Sequence, residues 1–490
     1  MIGVNGGEHW LIEQSKKNPD HTAVILSSKT ISYKELLEKS LDTAYNLEQL
    51  GVKPSDNIGI LFAHDYKFLV LINALWFIGA IPVPLNIRLT VEEIGTQLQH
   101  AKIKFSIIDN LMQNKYSLLT FKNTIIEDRV MNQPEKISKS IFDPQVFKLK
   151  NTALIMFTSG TSGIHKAVVH TFKNLFASVN SLYNFANLSS DDNWLASLSF
   201  YHIGGFMIPV RALLTGAAVA FPNSVSTDDT IATLEEFQPS HISLVPTTLQ
   251  KMIDQNVRPN KNLKYLFLGG GPSEKQLITK ALSGGWPVVK VYGSTETCSM
   301  VTAFKINAAN NKLASSGKPL MNCKVKIVDD IQNEIASGQI GKILVRAECI
   351  MKEYFENDTE TQHKIINGWF HTGDYGRIDN DGFLFVESRR EDLIISGGEN
   401  ISAGEVQEII LQNEKVSDAF VFGIDDSEWG QKLCAAVVSE NLSEDALKTF
   451  LKLKIASYKI PKRFYFMDMI PRNEMSKVDR KKLLEKIKLS

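Results

Sequence analysis

FTSGTSGIHKAV, residues 157–168, sets Thr158, Ser159, Gly160, Thr161, Ser162, Gly163 and Lys166 directly behind the apolar run Ala153 to Phe157. The run reads as a short buried strand, and the small residues after it form a loop suited to an anion. Glycines let the backbone approach a phosphate closely, the hydroxyls of Thr158, Ser159, Thr161 and Ser162 add short donors, and Lys166 adds a positive charge. The spacing departs from the G-x-x-x-x-G-K-[ST] of P-loop NTPases, so a Walker-type site is not the reading. Taken alone, the stretch reads equally well as an ordinary Ser/Gly surface loop.

The flanking chain decides between these readings. On the N-terminal side, Ser32 and Glu35 stand at capping-box spacing, with Ile31 and Leu36 placed for a hydrophobic staple. A helix is expected from there, stopped at Gly51. Asn57 to Ala63 reads as a strand and Leu69 to Gly79 as a buried helix, while residues 110–150 are polar and aperiodic, a connecting region. On the C-terminal side, strands are expected at Trp194 to Phe200, Val219 to Phe221, Ile242 to Val245, Lys264 to Leu268 and Val288 to Val291. Two of these run into GGGP (269–272) and YGSTE (292–296), just as the first strand runs into the 158–166 loop. Alternating helix and strand argues for a mainly parallel α/β sheet, whose ligands bind beyond the carboxyl ends of the strands. Convergence of three such loops lifts the first above an ordinary surface loop.

Further on, Gly341 to Val345 and Phe383 to Val386 read as β segments, and WFHTGD (369–374) puts the Asp374 carboxylate after a tight turn. The charged run Glu387 to Asp392 marks a boundary between a large domain, 1–388, and a small α+β domain, 389–490. The lysine-rich tail from Lys477 reads as a solvated helix.

Lys plus Arg and Asp plus Glu number 54 each, so no global field favours nucleic acid or an anionic membrane. The apolar run Phe68 to Ile81 is too short to span a bilayer, and no secretory h-region is read near the start. Cys298, Cys323, Cys349 and Cys434 lack metal-ligand spacing, which fits reduced thiols in a cytoplasmic protein. Oligomeric state is not legible.

The ordered set YKEL (33–36), PLN (84–86), FTSGTSGIHKAV, GGGP, YGSTE, WFHTGD, RREDLIISGGENI (389–401), YKIPK (458–462) and PRNEMSK (471–477) resembles the adenylate-forming acyl-CoA synthetase superfamily over nearly the whole chain. The resemblance implies a large AMP-binding domain and a mobile C-terminal lid. It implies two steps: a carboxylic acid attacks the α-phosphate of ATP to give an acyl-adenylate and pyrophosphate, and the thiol of coenzyme A then displaces AMP. By position, Thr158 to Gly163 and Lys166 match the loop holding the β- and γ-phosphates. Thr295 matches the α-phosphate donor and Glu296 the Mg²⁺ ligand. Gly270, Gly271 and Pro272 match the adenine wall, Tyr292 its stacking partner, and Asp374 the acceptor for the ribose hydroxyls, with Arg389 beside it. Lys477 matches the lysine that bridges attacking carboxylate and α-phosphate, Glu391 the hinge, and Gly397, Gly398 and Glu399 the border of the pantetheine tunnel.

Within the superfamily, LGGGP, YGSTETCS (292–299), SSGKPL (315–320) and PRN-x-x-x-K are most similar to the o-succinylbenzoate–CoA ligases of menaquinone synthesis. That resemblance makes His202, Gly270, Thr295 and Ser299 candidates for the acyl pocket and leaves the partner of a second carboxylate unplaced. Another aryl- or medium-chain acyl-CoA ligase, or a free-standing protein loading a carrier thiol, shares the same motifs. The chain departs from the family at His165 (usually Pro), Ala167 (Gly), Glu391 (Asp or Lys), Asn473 (Thr) and Ser476 (Gly).

Overall fold

The computed structural model describes residues 8–116, 123–131, 147–158, 166–271, 273, 275–306, 312–388, 393–472 and 478–488. The chain gathers into two compact units, Met1–Ile87 with Gln97–Phe157 and Ala167–Arg389, and Arg88–Thr96 with Thr158–Lys166 and Arg390–Ser490.

Local chemistry sets the first long helix. Tyr33–Gln49 starts at Ser32, whose hydroxyl accepts from the Glu35 N–H while the Glu35 carboxylate accepts from the Ser32 N–H. The reciprocal bonds satisfy two otherwise orphaned donors, as the spacing predicts. The apolar helix Lys67–Ile78 is buried along nearly its whole length and ends on Gly79 in the left-handed conformation. Its Trp76 donates to the Ala153 carbonyl at 2.8 Å and packs edge-on against Trp10 and Phe172, joining helices to sheet in one core.

The sheet that positions the site has nine strands, in spatial order Lys318–Pro319, Ser299–Lys305, Val288–Ser294, Tyr265–Leu268, His241–Leu244, Asn193–Leu195, Ala218–Ala220, Thr22–Leu26 and Lys29–Ser32. Its interior is parallel and its outer pairings antiparallel. From Asn193–Leu195 the chain passes to Ala218–Ala220 on one side, then to His241–Leu244 on the other. That reversal opens a crevice at the carboxyl ends of these strands. A four-stranded parallel sheet (Ile81–Pro84, Asn57–Leu61, Phe105–Ile108, Thr124–Ile126) also belongs to the first unit, so helices and mainly parallel sheets match the expected class. An antiparallel sheet built on Gly341–Arg346 and Trp369–Ile378 also belongs to that unit.

Several boundaries differ from the sequence reading. The strand expected over Trp194 to Phe200 stops at Leu195, because the Ser197 hydroxyl turns inward to the Ser243 carbonyl at 2.6 Å and Phe200 stacks on Phe68 and His64. The 110–150 region holds a real strand, Thr124–Ile126, and buries Tyr116 and Val130; residues 117–122 and 132–146 of it lie outside the described ones. Nor is the tail helix, Arg480–Lys488, simply solvated, since Leu483 is wholly buried against Phe422, Cys434 and Ile470.

In the second unit, Gly430–Ser439 pairs with Val416–Asp426, Leu393–Ser396 and Arg463–Phe466, and the helices Ala403–Leu411 and Glu444–Lys454 share its apolar cluster. The first lysine of YKIPK, Lys459, is buried and ion-paired with Glu405 at 2.6 Å.

Three histidines of the large unit are held neutral by burial: His9 is pushed down from 6.5 to about 3, and His64 and His170 each to about 4. Unfolding would let each take up a proton between pH 6.5 and about 4, so their contribution is intact above pH 6.5 and lost as pH falls through that window. Each group adds a slope approaching about 1.4 kcal/mol per pH unit. Thermal melts are expected to drop steadily from pH 7 to 4.5; an unchanged melting temperature over that interval would contradict neutral burial.

Candidate active site

The strand Val288–Ser294 returns as Ser299–Lys305 with Ser294 opposite Ser299, so Thr295–Cys298 must close a tight turn. Two features make the closure possible. Cys298 and Ser299 both adopt positive φ, 53° and 82°. At Gly293 any side chain is excluded, since a Cβ there would lie 1.8 Å from the Ser299 carbonyl oxygen. The Thr297 hydroxyl ties the turn together, accepting from the Ser294 N–H at 2.7 Å and donating to the Ser299 carbonyl at 2.7 Å. Thr295 and Glu296 are left half-buried at its tip.

Neighbours grip that tip. His170, neutral through burial, uses Nε2–H to donate to the Thr295 carbonyl at 2.8 Å. The Met351 N–H donates to the Glu296 carbonyl at 2.7 Å, and the Tyr354 hydroxyl to Glu296 Oε1 at 2.8 Å. Tyr354 in turn sits on a short strand paired with Val168, two residues after Lys166. Tyr354 was not singled out in the sequence; its one signal is an aromatic hydroxyl among the charges of Lys352, Glu353 and Glu356.

Across the same edge, the Tyr292 hydroxyl donates to Asp374 Oδ2 at 2.6 Å, which joins the YGSTE and WFHTGD motifs directly. Asp374 comes after the tight turn at Asn367–Gly368, as the sequence reading had it, but not directly after it. It lies within the ten-residue strand Trp369–Ile378, at a bulge where the register against Gly341–Arg346 shifts and Gly373 takes φ 81°. The Thr372 hydroxyl donates to the Ile343 carbonyl at 2.8 Å and accepts from the Asp374 N–H at 3.0 Å, fixing the bulge that re-aims the carboxylate. Gly270 and Gly271 follow Tyr265–Leu268, the parallel neighbour of Val288–Ser294, so both loops leave the same carboxyl edge. Gly270 lies near Val245, at the end of the next strand.

His202 occupies the N-cap position of the helix Ile203–Thr215 and is exposed. About two and a half turns later the same helix carries Arg211, only 1% exposed, whose Nη2 donates to the Ser299 hydroxyl at 3.0 Å. The guanidinium stands 5.5 Å from the Trp194 ring, and burial pulls its pKa from 12.5 to about 10, leaving it charged at neutral pH. Among the described residues no carboxylate pairs with it. Sequence reading missed Arg211, although a lone arginine within an apolar helix was the available signal.

Thr158 ends one strand and Lys166 begins the next, with the Thr158 hydroxyl 3.5 Å from the Lys166 carbonyl. Gly397 and Gly398, both at positive φ, form the two-residue turn between Leu393–Ser396 and Glu399–Ser402. Ser159, Gly160, Thr161, Ser162, Gly163, Pro272, Arg389, Glu391 and Lys477 lie outside the described residues. No helix among the described residues is long and apolar enough to cross a membrane.

The AMP-binding enzyme family matches residues 11–355, and the AMP-binding enzyme C-terminal domain matches residues 405–477. The 2-succinylbenzoate–CoA ligase of Bacillus licheniformis is 33% identical over 487 residues, covering 97% of this chain and 99% of its own. A double mutant of o-succinylbenzoate CoA synthetase from Bacillus subtilis, solved with the product analogue OSB-NCoA, is 32% identical with a TM-score of 0.91, covering 97% of this chain and 98% of that one. The Bacillus subtilis enzyme in complex with ATP and magnesium ion is 32% identical with a TM-score of 0.74, covering 97% of this chain and 99% of that one. On the matched motifs, the shared fold and this extent of identity, the chain belongs to the AMP-binding enzyme family.

Proposed function

We propose that this protein is an AMP-forming acid–CoA ligase of menaquinone biosynthesis, converting 2-succinylbenzoate, ATP and coenzyme A to 2-succinylbenzoyl-CoA, AMP and diphosphate through an acyl-adenylate. Attack of a carboxylate on a phosphate brings two anions together, so the enzyme must supply positive charge and donors where charge gathers. Thr295 would donate to the α-phosphate, Thr158, Ser159, Thr161, Ser162 and Lys166 to the β- and γ-phosphates, and Asp374 would accept from the ribose hydroxyls. Tyr292, held through its hydroxyl by Asp374, would present its ring to the adenine against Gly270, Gly271 and Pro272. Lys477 would bridge the two reacting groups, and rotation about Glu391 would exchange it for the Gly397–Gly398 border of a pantetheine path. The reaction compartment is the cytoplasm.

Glu296 fits a magnesium ion: it offers hard carboxylate oxygen, oriented by Tyr354. No cluster of three or more His, Cys, Asp or Glu is gathered among the described residues, which suits an ion held by one carboxylate and the substrate's own phosphates. When bound, the ion neutralises phosphate charge during adenylation.

Arg211 is the observation that carries the choice of acid. A buried cation whose partners are a hydroxyl and an indole face is costly unless an anion arrives. It sits beside Ser299, at the end of the turn that carries Thr295 and Glu296. A dicarboxylic aryl keto acid would bring one carboxylate to the α-phosphate and the other to Arg211. Exchange of labelled pyrophosphate into ATP should therefore depend on 2-succinylbenzoate and be weak with benzoate or octanoate. Equal exchange with the monoacids would instead select the broader aryl- or medium-chain ligase, and transfer to a carrier-protein thiol in preference to coenzyme A would select the carrier-loading reading.

A further inference from the structure

The antiparallel sheet that carries Asp374 has two unlike faces. Its strands Lys324–Val328, Gly341–Arg346, Trp369–Ile378 and Ile365–Ile366 lie side by side in that order. On one face Ile327, Ile343, Val345 and Phe370 join the main core of the large unit. On the other, the register sets Lys324 opposite Arg346, Lys342 opposite Tyr375 and Ile366 opposite Trp369, with Lys326 and His371 on either side of Leu344. Directly opposed residues share a face, so these side chains make one surface, roughly 15 by 20 Å from strand spacing and rise.

That surface is cationic. Lys324 and Arg346 are exposed, Lys326 and Lys342 half-buried, and among the described residues no carboxylate pairs with Lys324, Lys326 or Arg346. Asp330 meets Lys342 at 2.8 Å, but its side chain is 88% exposed, where such a pair is weak. The His371 pKa is lowered by partial burial and then by Lys364, Lys326 and Lys342, so these positive charges converge on the middle of the face. The same surface is amphipathic: Ile366 and Tyr375 are exposed, and the half-buried Trp369 ring has Lys326 Nζ 4.5 Å from its centre.

The aromatic geometry decides which polyanion fits. Single-stranded nucleic acid binds a basic sheet by stacking successive bases on neighbouring rings. Here Lys326 already covers one side of Trp369, and Tyr375 stands six residues away, roughly 20 Å along the strand. A bilayer needs no stacking. Its phosphates can meet the lysines and arginine, while an indole, a phenol and an aliphatic side chain suit the level between headgroups and acyl chains. Because the chain carries 54 cationic and 54 anionic residues, such attraction has to come from a local cluster.

We propose that this face docks on an anionic lipid bilayer, with Lys324, Lys326, Lys342 and Arg346 meeting lipid phosphates and Trp369 and Tyr375 seated at the headgroup level. The association is peripheral and independent of which acid the enzyme activates.

The full-length protein would be sedimented with vesicles of phosphatidylcholine alone and of phosphatidylcholine mixed with phosphatidylglycerol. Binding is expected to the mixture alone and should fall as salt rises. The combined Lys324→Gln, Lys326→Gln and Arg346→Gln variant should bind about 100-fold more weakly, near five-fold for each cation, with ATP–pyrophosphate exchange unchanged. The single variants give the same reading, each about five-fold, should the triple one fail to fold. Neutralising Lys53 and Lys452, exposed lysines elsewhere, should leave binding intact. Of the six tryptophans, Trp10, Trp76, Trp194 and Trp286 are at most 2% exposed, so quenching by lipids brominated near the headgroup reports on Trp369 and Trp429. It should vanish in Trp369→Phe and persist in Trp429→Phe. No binding to mixed vesicles at low salt, undiminished binding by the cation variants, an equal loss in the Lys53 and Lys452 control, or quenching that follows Trp429 would each overturn the docking face. A labelled oligodeoxynucleotide that binds through the same cations and is not displaced by the vesicles would overturn lipid as the occupant.

Discussion

Lys477→Ala is expected to lower the rate of pyrophosphate release by about 10²–10³, the usual loss when one charge-stabilising donor is removed from a transition state. Thioester formation from chemically prepared acyl-adenylate should stay within a few-fold of the unaltered enzyme. The asymmetry follows from the charges. Adenylation joins a carboxylate to a triphosphate and gathers negative charge at the α-phosphorus, where an ammonium acts most strongly. Thiolysis starts from a neutral acyl carbon with AMP as the leaving group, so a lysine that bridges carboxylate and α-phosphate has little left to do. KM for ATP should change much less than kcat, because the interaction is made chiefly in the transition state. Equal losses in both half-reactions would mean that Lys477 supports the fold, and an unchanged adenylation rate would remove it from the mechanism.

Arg211→Met should separate function from stability. Activity on 2-succinylbenzoate, as kcat/KM, is expected to fall about 100-fold, roughly the 2.7 kcal/mol of one charge-assisted contact in a dry site. Activity on a monocarboxylic aryl acid should hardly change or should rise, since no carboxylate reaches that end of the pocket. The same substitution should raise the melting temperature. Burial disfavours the Arg211 charge by pulling its pKa from 12.5 to about 10, and a change of that size corresponds to about 3 kcal/mol. Methionine keeps much of the volume against Trp194 without the charge. The opposite signs are the test. If the variant melts lower and loses all acids alike, Arg211 is a structural residue tying Ser299 to its helix.

Much of the site was legible before any coordinates because its local parts are set by local chemistry. The Ser32–Glu35 capping box involves residues three apart and forms as read. The carboxyl ends of Tyr265–Leu268 and Val288–Ser294 carry GGG and YGSTE, and their parallel pairing places both loops on one edge. The glycine of YGSTE has a reason that only the folded turn reveals, a carbonyl oxygen where its Cβ would be. Asp374 was singled out as a residue, but its bulge was not legible, because a Gly-Asp pair reads the same in a turn as in a bulged strand until the opposite strand sets the register.

What the amino-acid order determined by itself was the set of short-range choices, strand then small-residue loop then helix, and the order of motifs that marks an adenylate-forming enzyme. Only the tertiary structure decided which distant groups meet: Tyr292 with Asp374 across 82 positions, Tyr354 with Glu296 across 58, Arg211 with Ser299 across 88. Local sequence fixes torsions and periodicity, which have few solutions per residue. A hydrogen bond between side chains so far apart depends instead on strand order, register and one bulge acting together, and no stretch of chain short enough to read by eye contains all three.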